Sequence, residues 1–139
     1  MTDEPIIVET TIDAPLERVW KAYTSPEDIT QWNFASDDWH CPGAKVDLRE
    51  GGIFSARMES KDGKYGFDFE GTYTKIVENE CIEYRFGERH AAVAFLPEGG
   101  KVTVRVSFDP ETEHSLEQQR EGWQSILDNF ARHAQQIAR

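Results

Sequence analysis

From Ala44 to Pro110 the chain changes hydropathy at nearly every second residue, in stretches only a few residues long. The stretches are Val46 to Glu50, Ile53 to Ser60, Lys64 to Val77, Cys81 to Phe86, His90 to Leu96 and Val102 to Phe108. Between them lie Gly51-Gly52, Asp62-Gly63, Glu78-Asn79-Glu80, Gly87 and Gly99-Gly100. Period two belongs to a strand with one buried face, and links this short join antiparallel neighbours. The middle of the chain therefore reads as a meander. A seventh strand, Ile6 to Ile12, precedes it, with Ile6, Val8, Thr10 and Ile12 on one face.

Two short helices are expected after that first strand. Asp13 before Ala14-Pro15 reads as an N-cap with proline in the first turn. Leu16, Val19, Trp20 and Tyr23 then recur at helical spacing until Ser25-Pro26, and Pro26 to Trp32 forms a second helix with Ile29 and Trp32 on one side. Residues 33–43 have no period and read as a loop, though Phe34 and Trp39 are unusual in a mere connection.

The last segment is amphipathic at helical spacing. Ser115 followed by Gln118 is a capping box, and Leu116, Trp123, Ile126, Leu127, Phe130, Ala134 and Ile137 make one apolar stripe. A helix from Leu116 to about Ala138 is ~34 Å long, whereas seven strands at ~4.8 Å spacing span about 29 Å. One helix can cross the whole sheet. The expectation is an α+β, two-layer domain over 1–139, a twisted antiparallel sheet of six to seven strands around a C-terminal helix.

Composition narrows the partners. The formal net charge is −11, which repels phosphate backbones and anionic headgroups, so nucleic acid and membrane insertion are not expected. No apolar run approaches the length of a membrane span, and Met1 to Pro5 lacks the basic start of a secretory signal. Cys41 and Cys81 lie far apart with no C-x-x-C pair, so two reduced thiols in a cytoplasmic protein are expected, with no metal or other cofactor.

A concave sheet under a helix encloses space according to side-chain size. Tyr65, Phe67, Phe69, Gly71 and Tyr73 share one face of their strand, opposite Asp68, Glu70, Thr72 and Thr74, so the aromatic face should look inward. Gly71 in that row marks a bulge or leaves room for another group. Gly122, beside Trp123, costs about 1 kcal/mol against alanine in mid-helix, which calls for a compensating reason. The rings either fill a solid core or wall an apolar pocket with a few polar groups.

Several runs resemble the SRPBCC or START-like superfamily, in the branch related to the C-terminal domain of the Hsp90 ATPase activator. They are Ile12-Asp13-Ala14-Pro15 with Val19-Trp20, Asp38-Trp39-His40-Cys41-Pro42, and Asp47-Leu48-Arg49-Glu50-Gly51-Gly52. Met58, Asp62-Gly63, Phe67-Asp68-Phe69-Glu70-Gly71 and the stretch from Gln119 to Phe130 complete the match. The resemblance implies a helix-grip fold of Bet v 1/START type, as in polyketide cyclase-like proteins. It also implies a lipid, polyketide or aromatic metabolite in the helix–sheet cavity, and it brings a chaperone-contact reading with it.

On the pocket reading, Phe34, Trp39, Phe54, Phe67, Phe69, Tyr84 and Trp123 form apolar walls, while His40, Gln119 and Arg89 orient the polar end of a small hydrophobic ligand. The rival reading is a cyclase or hydrolase using His40 with Asp37 or Asp38, which needs that ring within hydrogen-bond reach of a substrate proton. A third reading is a protein-interaction module that meets a chaperone, and a homodimer is compatible with all three. Arg49, Arg57, Arg85 and Arg105 read as solvated strand faces. Adjacent His40 and Cys41 point apart and make a poor metal site.

Overall fold

The structure, a computed structural model, describes residues 4–137. Seven strands form one antiparallel sheet: β1 (Ile6–Ile12), β2 (Trp39–Val46), β3 (Ile53–Ser60), β4 (Gly66–Val77), β5 (Cys81–Phe86), β6 (Arg89–Glu98) and β7 (Lys101–Phe108). Their order is β1-β7-β6-β5-β4-β3-β2, so the meander runs outward from β7 to β2 and the first strand closes against the last. Ile6 lies opposite Phe108 and Ile12 opposite Val102. Helices α1 (Leu16–Thr24) and α2 (Pro26–Trp32) carry the chain from one sheet edge to the other, and α3 (Leu116–Ile137) returns across the concave face. This is the helix-grip arrangement. The expected helix end at Ala138 and the start of the chain at Met1 to Asp3 lie outside the described residues.

Alternation along β7 buries Val102, Val104, Val106 and Phe108, and β6 buries Ala91, Val93 and Phe95 against them. Trp20 and Tyr23 of α1 pack on Phe95 with ring centroids 5.1 and 5.7 Å away. The capping box is formed as the sequence implied. The Gln118 amide donates to Ser115 Oγ and the Ser115 amide donates to Gln118 Oε1, both at 3.1 Å. Two orphan donors at the start of α3 are thereby satisfied reciprocally.

Three local expectations are corrected. Asp13 does not cap α1. The cap position is Pro15, and the Asp13 amide instead donates to Gln135 Oε1 of α3 at 3.0 Å. The second strand occupies Trp39–Val46 rather than Val46 to Glu50, because the loop-like residues pair with β3 around a register shift between His40 and Gly43. Such a shift inserts one unpaired residue and breaks the period-two signal. Tyr65 precedes β4 and is 68% exposed, and Phe67 is 49% exposed, so the aromatic face turns inward only from Phe69 onward.

The C-terminal half of α3 is fixed by aromatic packing. Phe130 is fully buried, edge-on to Tyr23 at 5.1 Å and to Trp32 at 5.0 Å. Trp32 Nε1 donates to the Ala22 carbonyl at 2.9 Å, tying α2 to α1, and His133 Nε2 lies 2.9 Å from Asp28 Oδ1, tying α3 to α2. The helix backbone packs on β1, α1 and α2 but stands off β3, β4 and β5, which it meets through side chains. Replacing Phe130 with alanine should therefore cost about 3–5 kcal/mol, read as a lowered urea midpoint. A loss below about 1 kcal/mol would show that the three-helix clamp is not what seats α3.

Candidate functional site

The gap between α3 and the middle of the sheet is a cavity of about 470 Å³. Its floor is built by alternation, with Phe54, Ala56 and Met58 from β3, Phe69 and Tyr73 from β4, and Ile82, Tyr84 and Phe86 from β5. Its roof is one face of α3, comprising Gln119, Gly122, Trp123, Ile126 and Leu127, and Tyr23, Ile29 and Trp32 close one side. Rings pack mostly edge to face. Phe54 meets Tyr84 at 4.9 Å and 83°, and Phe69 meets Trp123 at 6.2 Å and 89°. Trp123 is held by a parallel stack on Phe108 at 3.9 Å and 9°. The T-shaped pairs keep the rings standing as walls instead of collapsing flat onto one another.

Both singled-out glycines are explained by this space. A Cβ on Gly71 would lie 2.5 Å from Phe54 Cζ and 3.0 Å from the Arg85 carbonyl oxygen, so Gly71 is the seat of the Phe54 ring. A Cβ on Gly122 would meet nothing within 4 Å, and this glycine borders the cavity. No packing requirement explains it. Its effect is to keep the roof clear.

Of the residues expected at a site, Phe54, Phe67, Phe69, Tyr84, Arg89, Gln119 and Trp123 border the cavity, and Phe34, Trp39 and His40 do not. His40 is paired with Glu59 on the outer face of the sheet, its Nε2 3.9 Å from Glu59 Oε1. Strand alternation then turns Trp39 inward, where it packs on Phe67 with centroids 6.0 Å apart, beside the cavity rather than in it. Phe34 packs against the core, and its carbonyl accepts from Asn129 Nδ2 at 2.6 Å. Asp37 and Asp38 are exposed, and Asp38 is engaged by Ser36. An acid–base pair of His40 with Asp37 or Asp38 at the cavity is therefore ruled out by placement.

Two polar wall residues have structural work of their own. Gln119 is 7% exposed, and its Nε2 donates to the carbonyls of Glu111 and His114 at 3.0 and 2.9 Å while its Oε1 accepts from the Glu111 amide at 2.8 Å. It pins the loop before α3 to the helix, and its amide donors are already engaged there. Arg89 donates from Nε to the Asp109 carbonyl at 2.9 Å and lies 4.6 Å over the Phe86 ring. Glu111, Glu113 and His114 place their ligand atoms within 4.8 Å of one another on this loop, and His114 Nδ1 lies 3.1 Å from Glu111 Oε2.

The sequence pattern pointed less clearly to three tyrosines. Tyr23, Tyr73 and Tyr84 all border the cavity. Burial raises the Tyr23 hydroxyl far above its ordinary range and the nearby Tyr73 adds to it, while burial and then the Asp47 charge raise Tyr73. Tyr84 is raised by burial first and then by Tyr23 and Tyr73. All three stay neutral donors across the physiological range. Tyr23 stands at helical spacing with Leu16, Val19 and Trp20, and Tyr73 is one ring in the β4 row; their place on one cavity wall arises from tertiary structure.

Comparison with known proteins agrees with this architecture. Residues 13–135 match the family model described as Activator of Hsp90 ATPase homolog 1-like protein. The AHSA1-like protein from Aeromonas hydrophila, solved in solution, is 40% identical with a TM-score of 0.87, over 95% of this chain and 94% of that one. A Cytophaga hutchinsonii protein is also 40% identical, with a TM-score of 0.82 over 96% of this chain and 93% of its own. A putative uncharacterized protein from Rhizobium leguminosarum is 26% identical, with a TM-score of 0.71 over 95% and 94%. No curated protein matches significantly. No described helix is long and apolar enough to cross a membrane.

The cavity wall predicts its own perturbation. Gly71→Ala should push the Phe54 ring off its seat toward the cavity and cost about 1–3 kcal/mol. The expected readout is a lower urea midpoint together with shifted ring resonances of Tyr73 and Tyr84. An unchanged midpoint would mean that Phe54 is not seated on Gly71.

Proposed function

We propose that this chain, which belongs to the family of Activator of Hsp90 ATPase homolog 1-like proteins, binds a small hydrophobic molecule in the space between α3 and the sheet. The observation that carries the reading is the volume, about 470 Å³, within the ~300–1,000 Å³ usual for small-molecule sites. Left dry, such a space would cost on the order of 11 kcal/mol at ~24 cal/mol per Å³, an upper bound comparable with the whole stability of a domain. A protein that keeps it open gains by filling it. The walls are chiefly rings and aliphatic groups, so burial of apolar ligand surface at ~25 cal/mol per Å² supplies the affinity. The polar part of the wall includes His114, whose ring is paired with Glu111 at 3.1 Å. The family description also supports a chaperone-directed role, and the exposed rings Tyr65 and Phe67 offer it a surface.

Gly122 gives the test. Gly122→Leu should leave the fold intact, gain up to about 1 kcal/mol of helix propensity, and place an isobutyl group in the roof. Binding of the apolar fluorophore N-phenyl-1-naphthylamine, followed by its emission on titration, should weaken at least tenfold. Undiminished binding by the variant would place the fluorophore elsewhere and overturn the reading. The chaperone role is tested by adding the purified protein to an Hsp90 ATPase assay. A rate raised equally by wild type and Gly122→Leu would assign that activity to a surface other than the cavity.

A further inference from the structure

Three phenol groups enter the same cavity from two layers. Tyr73 and Tyr84 are direct cross-strand partners of β4 and β5 in the middle of the sheet, and Tyr23 reaches the space from α1. Tyr84 is 5% exposed and Tyr73 6%. Among the described residues none of the three hydroxyls has a hydrogen-bond partner, yet no fully enclosed side-chain oxygen or nitrogen there lacks one. The hydroxyls therefore face open space; for Tyr73 and Tyr84, deeply buried on the concave face, that space is the cavity, and the half-buried Tyr23 borders it from α1.

A buried hydroxyl without a partner costs about 1–3 kcal/mol. An apolar lining would be better served by phenylalanine, which the same floor uses at Phe54, Phe69 and Phe86. The tyrosines stand where a purely apolar occupant would leave three donors unmatched. The cationic side chains bordering the cavity are Lys45, which is exposed, and Arg89, whose guanidinium lies over Phe86 and holds the Asp109 carbonyl. The Arg89 charge reaches Tyr84, so an oxygen carrying partial negative charge is favoured beside that hydroxyl. Burial lowers the acidity of all three phenols, which keeps them protonated and hence donors.

Resting on the cavity-binding reading, we propose that Tyr73 and Tyr84, flanked by Tyr23, form a carbonyl-recognition subsite, and that the ligand is a ring-bearing ketone or related carbonyl compound inserted oxygen first. The ring-lined walls hold the apolar body, and the Tyr73 and Tyr84 hydroxyls donate to the two lone pairs of the carbonyl oxygen. A site built to meet a polar atom discriminates against the analogue that lacks it, because its own groups are then left unpaired.

The experiment compares two flat probes of nearly the same shape, 9-fluorenone and fluorene, titrated into the full chain by tryptophan fluorescence, with the carbonyl stretch of bound fluorenone read by infrared difference spectroscopy. Fluorenone should bind about tenfold tighter than fluorene, with its stretch moved to lower wavenumber than in hexane. The double variant Tyr73→Phe with Tyr84→Phe should bind fluorene at least as well as wild type, lose the preference, and return the stretch toward its value in hexane. The single variant Tyr84→Phe should lose part of both effects and guards against a folding defect in the double variant. Equal affinity of the two probes for the wild type, or a preference and stretch unchanged in the variants, overturns the carbonyl subsite while leaving cavity binding in place. Binding of neither probe overturns the cavity reading and this proposal together.

Discussion

The long helix is fixed near both ends and along β1, and between those anchors it stands off the backbone of β3, β4 and β5. Near its C-terminal end Phe130 and Ala134 are fully buried against α1, α2 and β1, where van der Waals contact is dense and the penalty for retreat is steep. Near its N-terminal end Gln119 binds three backbone groups of the preceding loop. The span between these anchors holds Gly122 and Ile126 above β3, β4 and β5. A rigid rod needs no support along its middle, so the space beneath it survives without a pillar. Trp123 is the one large side chain that reaches down there, and it stacks on Phe108 at the rear instead of filling the centre.

That division of labour explains why the interior is close-packed on one side and open on the other. β1, β7 and β6 contribute small branched residues, Val8, Val93, Val104 and Val106, whose short side chains let α1 and the end of α3 approach closely. β3, β4 and β5 contribute rings instead. Rings that meet at steep angles stop one another from lying down, and a helix resting on their upper edges sits too far away to close the gap. The polar atoms of this interior are few, and those of Gln119 are already engaged. The hydroxyl-bearing rings of Tyr23, Tyr73 and Tyr84 border the same space.

The sheet, its strand order by short links, the capping box and the length of α3 were legible in the sequence because each rests on local spacing. Ser115 and Gln118 needed only three residues of chain to find each other. What failed to show was anything set by pairing across strands. His40 sits beside Trp39, and no rule within the segment says which of the two turns inward; the pairing of His40 with Glu59 decides it. β2 was hidden by Pro42 and Gly43, which spoil the alternation that marks a strand. Gln119 lay on the correct face of α3, but spacing cannot tell that its amide is engaged by the chain eight residues earlier. The aromatic wall residues were legible because size and face are properties of single strands, whereas the meeting of Tyr23 with Tyr73 and Tyr84 required the folded chain.

The two borders of the sheet are protected by different means. Along β1, side chains of α3 reach the outward carbonyls, with Gln124 Nε2 donating to Glu9 at 3.0 Å and Arg120 Nη1 to Ile7 at 3.5 Å, so the helix doubles as a lid over that margin. Along β2, helix α2 packs on the strand, and the irregularity between His40 and Gly43 interrupts its edge. A proline without a donor and a residue pushed out of line make a poor template for a stray extended segment. The same kink that hid this strand from a reading of the sequence makes its edge a poor match for another chain.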